Sequence, residues 1–261
     1  MHLTEALFAE DAAIAVVGAG GKKTTMYALA ERLDRAVITA SVRIPIFDPH
    51  VETVEVTDDP VDRLANASPN EFPLGLVRER ERGRDDRYLG YGREAAASIV
   101  DAHRGDGSVL IKADGARMRE FKAPGEAEPQ IPDSVDVVVP IASVSAVGEP
   151  LDQESVHRPE RVREVARAAG VDAEIGEPIG PETVAAVLAS DRGGLRNVPE
   201  GARVVPLLNK VDDEADLAVA RRIAEGLIGR LERDGRDGPA VPHVVLGRLI
   251  EGEVVDVVPT G

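Results

Sequence analysis

Residues 13–33, AIAVVGAGGKKTTMYALAERL, constrain the chain more than any other stretch. The apolar run Ala13 to Val17 stops at Gly18, Gly20 and Gly21. Two lysines and two threonines follow, and then Met26, Leu29, Ala30 and Leu33 recur at helical spacing. The pattern predicts a strand, a glycine loop and a helix. Glycines let a backbone turn its N–H groups inward, and a helix start adds partial positive charge, so the loop is suited to phosphate. A lysine adds a full charge. A threonine hydroxyl, Thr24 or Thr25, can hold the magnesium that accompanies a nucleoside triphosphate. A dinucleotide fingerprint fails because Lys23 occupies its third glycine position. The strict P-loop pattern fails in either register: with Lys22 as its lysine, Val16 and Lys23 are wrong, and with Lys23, Lys22 replaces a glycine. The register stays open between the two lysines, and a plain strand-to-helix turn is the bland alternative.

Strand and helix patterns alternate along the rest of the chain. Strands are predicted at 36–40, 51–56 (an edge strand), 108–113, 135–141, 203–208, 241–246 and 254–258, with pairing expected to end at Pro140. Helices are predicted at 1–11, 94–103, 161–169, 181–190 and 214–231. This alternation predicts a three-layer α/β fold with a mostly parallel sheet, P-loop NTPase-like, as a single domain over 1–261. The run 58–93 is highly charged, with RERERGRDDR at its centre, and reads as a solvated insertion or, alternatively, a lid. Residues 241–258 read as a terminal β segment.

Two further corners carry chemistry. Asp114 ends a hydrophobic strand, the place from which P-loop proteins supply a magnesium-facing carboxylate. Asn209-Lys210-Val211-Asp212 follows the strand RVVPLL and matches the N-K-x-D guanine-binding motif. A carboxylate at Asp212 can accept from both N1–H and the exocyclic amine of guanine, which adenine cannot offer. Asn209 would organise the loop, and the Lys210 stem would lie along the base. The alternative for Asp212 is a helix N-cap. Arg43, Arg117, Lys122 and Arg158 are candidates for an acidic substrate, Glu126 and Glu128 for a metal or base, and His157 for a helix-start loop rather than a base.

Composition narrows the partners. Net charge is −16 and only five of the 31 basic residues are lysine, a pattern suited to high salt and adverse to nucleic acid or an anionic membrane. No cysteine is present, which excludes disulfides and thiolate chemistry. The amino terminus lacks a basic, apolar leader pattern, so a cytoplasmic location is expected.

The segments VVGAGGKKTTMYALA, VITASVRIP, LIKADGARMREFKAPGEAEPQIP, VHRPERV and LLNKVD together resemble the YqeC-type proteins, described as accessory proteins of selenium-dependent molybdenum hydroxylases. The resemblance runs over about residues 13–213, and the ADGA-to-KAP-to-EP stretch is its most specific part. It implies P-loop-like nucleotide binding and a role in maturing a molybdenum or selenium cofactor. The chain departs from the family at Lys23, where a hydroxyl is usual, leaving Thr24 as the substitute metal ligand. It also departs at Lys112, where an acidic residue usually precedes ADG, which removes a carboxylate that might assist water. The expectation is a magnesium-dependent, GTP-preferring protein (ATP the alternative), with Lys22, Lys23 and Asp114 as catalytic groups for slow hydrolysis. A small-molecule kinase or nucleotidyltransferase and a non-hydrolysing scaffold or chaperone are the other readings.

Overall fold

The computed structural model describes residues 1–234 and 238–261. Its centre is a sheet built from β1 (Ala13–Gly18), β2 (Val37–Ala40), β3 (Thr53–Val56), β4 (Leu74–Val77), β5 (Val109–Lys112), β6 (Val137–Ser143), β7 (Arg203–Val204), β8 (Leu207–Asn209), β9 (His243–Arg248) and β10 (Glu253–Pro259). The order across the sheet is β10-β9-β8-β6-β1-β5-β2-β4-β3, with β7 extending β8's side against β6. Every pairing is parallel except β9 with β10. The predicted three-layer, mostly parallel α/β architecture is therefore what the chain adopts.

The layers follow from period-two burial. Ile14 and Val16 of β1 face one side, where Met26 and Leu29 of α1 (Lys22–Ala30) cover them. Ala13, Ala15 and Val17 face the other side, toward Ala96 and Ile99 of α2 (Arg93–His103). On that second face α3 (Pro159–Ala168), α4 (Pro181–Leu188) and α5 (Glu214–Asp234) share one apolar cluster with Leu208, Val244 and Leu246. Strands buried on both faces have no polar alternation, as the fully buried VVVPIAS of β6 illustrates.

Chain order reverses beside β1. The chain runs from β1 out to β2, β3 and β4, returns to β5 on one side of β1, and crosses to β6 on the other. Parallel α/β sheets open a crevice at the carboxyl ends of their strands where the order reverses. The glycine loop leaves β1 at that point.

Four expectations need correction. The charged run 58–93 is not only a solvated insertion or a lid. It contributes β4, LGLV, fully buried between β2 and β3, and a short helix at Pro60–Ala65. Its arginine-rich part forms a small antiparallel sheet of Ile44–Pro45, Glu79–Arg80 and Arg87–Leu89. Four apolar residues suffice for a strand that gains both faces from neighbours, and the surrounding charges hid it. Pro140 does not end pairing: β6 continues to Ser143, with Pro140 opposite Val17, because one missing donor does not stop a ladder supported on both sides. The predicted 203–208 strand divides into β7 and β8 around Pro206, and the amino-terminal helix is limited to Leu3–Ala6.

The buried strand assignment has a direct test. Truncating Leu76 to alanine leaves a void in a fully buried site and is expected to lower unfolding free energy by about 3 kcal/mol in urea titration. A solvated lid would change by less than about 0.5 kcal/mol.

Candidate functional site

The loop is held by close packing that only glycine permits. Gly18 has φ +88°, and a Cβ there would lie 2.2 Å from Ile141 O. Gly21 has φ +145°, and a Cβ there would lie 2.1 Å from Asn209 Nδ2. Three loop N–H groups donate within the protein: Gly18 to Asp114 Oδ2 at 2.8 Å, Ala19 to Ile141 O at 2.9 Å and Gly20 to Arg119 O at 3.1 Å. The N–H groups of Gly21, Lys22, Lys23 and Thr24, at the start of α1, have no acceptor among the described residues. The free donors thus belong to the helix start rather than to the glycines at the strand end.

The two lysines behave differently. Lys22 is 6% exposed, with Nζ 2.9 Å from Asp114 Oδ1 and donating to Gly18 O. Lys23 is half-buried and pairs with no carboxylate among the described residues. Thr25 is buried and donates its hydroxyl to Gly21 O at 3.1 Å, whereas the Thr24 hydroxyl, half-buried at the helix start, has no partner there.

Asp114 lies at the centre of a buried charge cluster. Lys122 Nζ is 3.0 Å from Asp114 Oδ2 and 2.8 Å from Glu128 Oε2, and Arg158 Nη1 donates to the same Glu128 oxygen at 2.7 Å. Lys112 donates to Asp114 O at 2.8 Å and Arg43 O at 2.6 Å. Desolvation works against every charge here. Burial lowers Lys22 despite Asp114, and burial together with Lys22 brings Lys112 down to about 7. Burial alone would raise Asp114, but the ammonium groups of Lys22 and Lys122 outweigh it and hold it low. Glu128 likewise overcomes burial, through Lys122 and Arg158, and falls to about 2. Lys22, Lys122 and Arg158, with Lys112 partly protonated near neutral pH, outnumber the two carboxylates and leave a local positive excess in an acidic chain.

The N-K-x-D corner meets the loop. Asn209 Nδ2 donates to Gly20 O at 2.8 Å, and its Oδ1 accepts from Leu249 N at 3.0 Å. Lys210 adopts a left-handed backbone (φ +64°) and reaches Glu120 Oε2 at 2.7 Å. Asp212 is largely exposed and lies 3.6 Å from Arg248 Nε. It does not cap α5: Asp213 Oδ1 accepts from Asp216 N at 2.9 Å and does so instead. The four substrate candidates separate. Arg43 is exposed and pairs with Glu81 at 3.0 Å, Lys122 is in the buried cluster, and Arg117 and Arg158 line one small cavity. Glu128, a candidate for a metal or base, is instead the ion-pair partner of Lys122 and Arg158. Arg119 was not singled out by the sequence, since its role depends on contacts across the 115–130 segment, and the dense charge of ADGARMREFKAPGEAE was the only signal.

A family model described as "YqeC protein" matches residues 14–160. The "Uncharacterized protein YqeC" of Escherichia coli (strain K12) is 29% identical over 201 residues, covering 76% of this chain and 75% of its own length.

Two outcomes follow from the cluster. Asp114→Asn leaves two buried ammonium groups short of a counter-charge, and unfolding free energy is expected to fall by about 3–5 kcal/mol in denaturant titration. Folded Glu128 stays ionised to about pH 2, whereas the unfolded group takes its proton near 4.5. Its contribution is therefore complete above pH 4.5 and lost as pH falls from 4.5 toward 2. For this mostly buried group the loss is on the order of 2–3 kcal/mol. Melting temperature measured against pH should drop less steeply in that window for Glu128→Gln than for the parent chain.

Proposed function

The chain belongs to the YqeC family, and from that premise we propose that its loop and N-K-x-D corner bind one nucleoside triphosphate, GTP in preference to ATP. The observation that carries the reading is the Asn209 to Gly20 hydrogen bond, which joins two corners 189 residues apart at the carboxyl ends of the strands. In a nucleotide site, one corner serves the phosphates and the other the base.

The phosphates would meet the N–H groups of Gly21 to Thr24 and the Lys23 ammonium, which have no partner among the described residues. A full charge beside a helix start is the combination that stabilises a polyanion. Lys22 would organise the loop from beneath through Asp114, or turn to the phosphates when they arrive. Asp212 would read the guanine edge, exchanging its long contact with Arg248 for the base, while Lys210 lies against it. Magnesium accompanies such a nucleotide. The Thr24 hydroxyl, without a partner among the described residues, fits as its ligand. Asp114 fits only if Lys22 turns away, because Lys122 and the Gly18 N–H hold Oδ2 while Oδ1, which accepts no hydrogen bond, faces the Lys22 ammonium at 2.9 Å.

With Asp114 ion-paired to Lys22 and Lys122, Glu128 to Lys122 and Arg158, and lysine at position 112, each carboxylate of this cluster is committed to cations rather than to orienting water. Slow hydrolysis or none is the consequence, and this suits an accessory protein that binds nucleotide while maturing a molybdenum- or selenium-dependent hydroxylase or its cofactor. That biological role rests on the family resemblance. A small-molecule kinase or nucleotidyltransferase is the second reading, favoured by the cationic cavity beside the loop.

Thermal unfolding with GTP, ATP or CTP in magnesium tests the site. GTP at a hundredfold over its Kd should stabilise by about 2.7 kcal/mol, a rise of several degrees, with smaller shifts for ATP and CTP. Asp212→Asn should abolish the preference for GTP; if the variant keeps it, the base assignment is wrong. Phosphate release in the same samples separates an enzyme from a scaffold.

A further inference from the structure

One turn away from the glycine loop lies a cavity of about 270 Å³ lined by Arg117, Arg119, His157 and Arg158, with Gln153 and Glu160 among its other walls. The segment 115–122 connects the two places. The carbonyl of Arg119 accepts the Gly20 N–H, and Arg119 itself is a lining residue of the cavity. The parallel pairing of His157 with Lys122 fixes the opposite wall.

Three arginines line this small space against one acidic residue, Glu160, in a chain of net charge −16. Arg158 has one carboxylate partner, Glu128, which Lys122 also engages. Arg117 and Arg119 have none among the described residues. Arg117 and Arg158 both have left-handed backbones, φ +49° and +66°, a conformation that costs non-glycine residues free energy and persists where surrounding contacts enforce it.

His157 adds a polar ring to the cavity wall. It is only 9% exposed, yet neither ring nitrogen has a hydrogen-bond partner among the described residues. Burial, then the nearby Arg158 and Lys122, keep the ring neutral, with its pKa down to about 4, so at neutral pH it offers one N–H donor and one acceptor.

We propose that this cavity binds the phosphate group of a small phosphomonoester, clamped by Arg117, Arg119 and Arg158 with His157 as a further hydrogen-bond donor. Guanidinium forks match tetrahedral oxyanions through paired N–H donors, and several on one centre favour a dianion over a carboxylate. The volume lies just below the usual range for drug-sized ligands, which selects a small molecule. The acidic surface outside the cavity disfavours a polyanion such as nucleic acid. The site is separate from the nucleotide corner and does not depend on it.

Calorimetric titration of the full chain with inorganic phosphate and with glycerol 3-phosphate, at low ionic strength, tests the proposal. Glycerol 3-phosphate should bind at least as well as phosphate, and Arg117→Gln/Arg119→Gln should weaken both at least tenfold. Lys23→Gln should leave both unchanged. The His157 ring-proton resonance, assigned by its absence in His157→Gln, should move when ligand is added to the parent chain and stay in place in the double variant. Absence of binding would overturn the proposal. So would binding that survives the double variant but is lost in Lys23→Gln, because the phosphate would then be in the glycine loop. Phosphate binding with glycerol 3-phosphate excluded would overturn the ester assignment. The GTP-induced thermal shift, measured separately, should persist in the double variant, so failure of the nucleotide reading is distinguishable from failure of this one.

Discussion

The carboxylate of Asp114 is the interaction on which the site depends. One oxygen faces Lys22 and the other faces Lys122 and the Gly18 N–H. A charge removed from water this completely is tolerable only with opposite charge and hydrogen bonds around it. Those partners come from the glycine loop, from the start of α1 and from the 115–130 segment. Satisfying one carboxylate thus fixes three pieces of chain relative to one another.

The same cluster sets the local field. The chain as a whole is acidic, but Lys22, Lys112, Lys122 and Arg158 outnumber Asp114 and Glu128 at the carboxyl ends of the strands. Because the three lysines and Asp114 are buried, their field is screened less by salt than that of the exposed surface charges. An acidic exterior with a cationic interior edge suits small anions and repels large ones. It also explains how Lys112 can be brought to about 7: it sits among like charges out of water while its own contacts are carbonyl oxygens.

Sequence and structure agree most closely where the signal is local. The strand–glycine–helix pattern at 13–33 was legible because a buried strand, glycines that must turn sharply and an apolar helical stripe are neighbours in the chain. Alternation of strands and helices was sufficient for the three-layer parallel fold. β4 escaped notice because its four apolar residues lie among charges, and its burial is supplied by β2 and β3 rather than by its own pattern. The capping of α5 by Asp213 instead of Asp212 was below the resolution of a motif, since both are adjacent aspartates and only backbone geometry separates them.

The amino-acid sequence by itself determined the fold class, the glycine loop and the N-K-x-D corner, because each is encoded by spacing within a few residues. Tertiary structure alone decided which lysine is tied down, what Asp114 touches and that Arg117, Arg119, His157 and Arg158 share a cavity. Those are contacts between distant segments, and their electrostatics depend on burial and on distances of a few ångströms. No local pattern of residues carries either quantity.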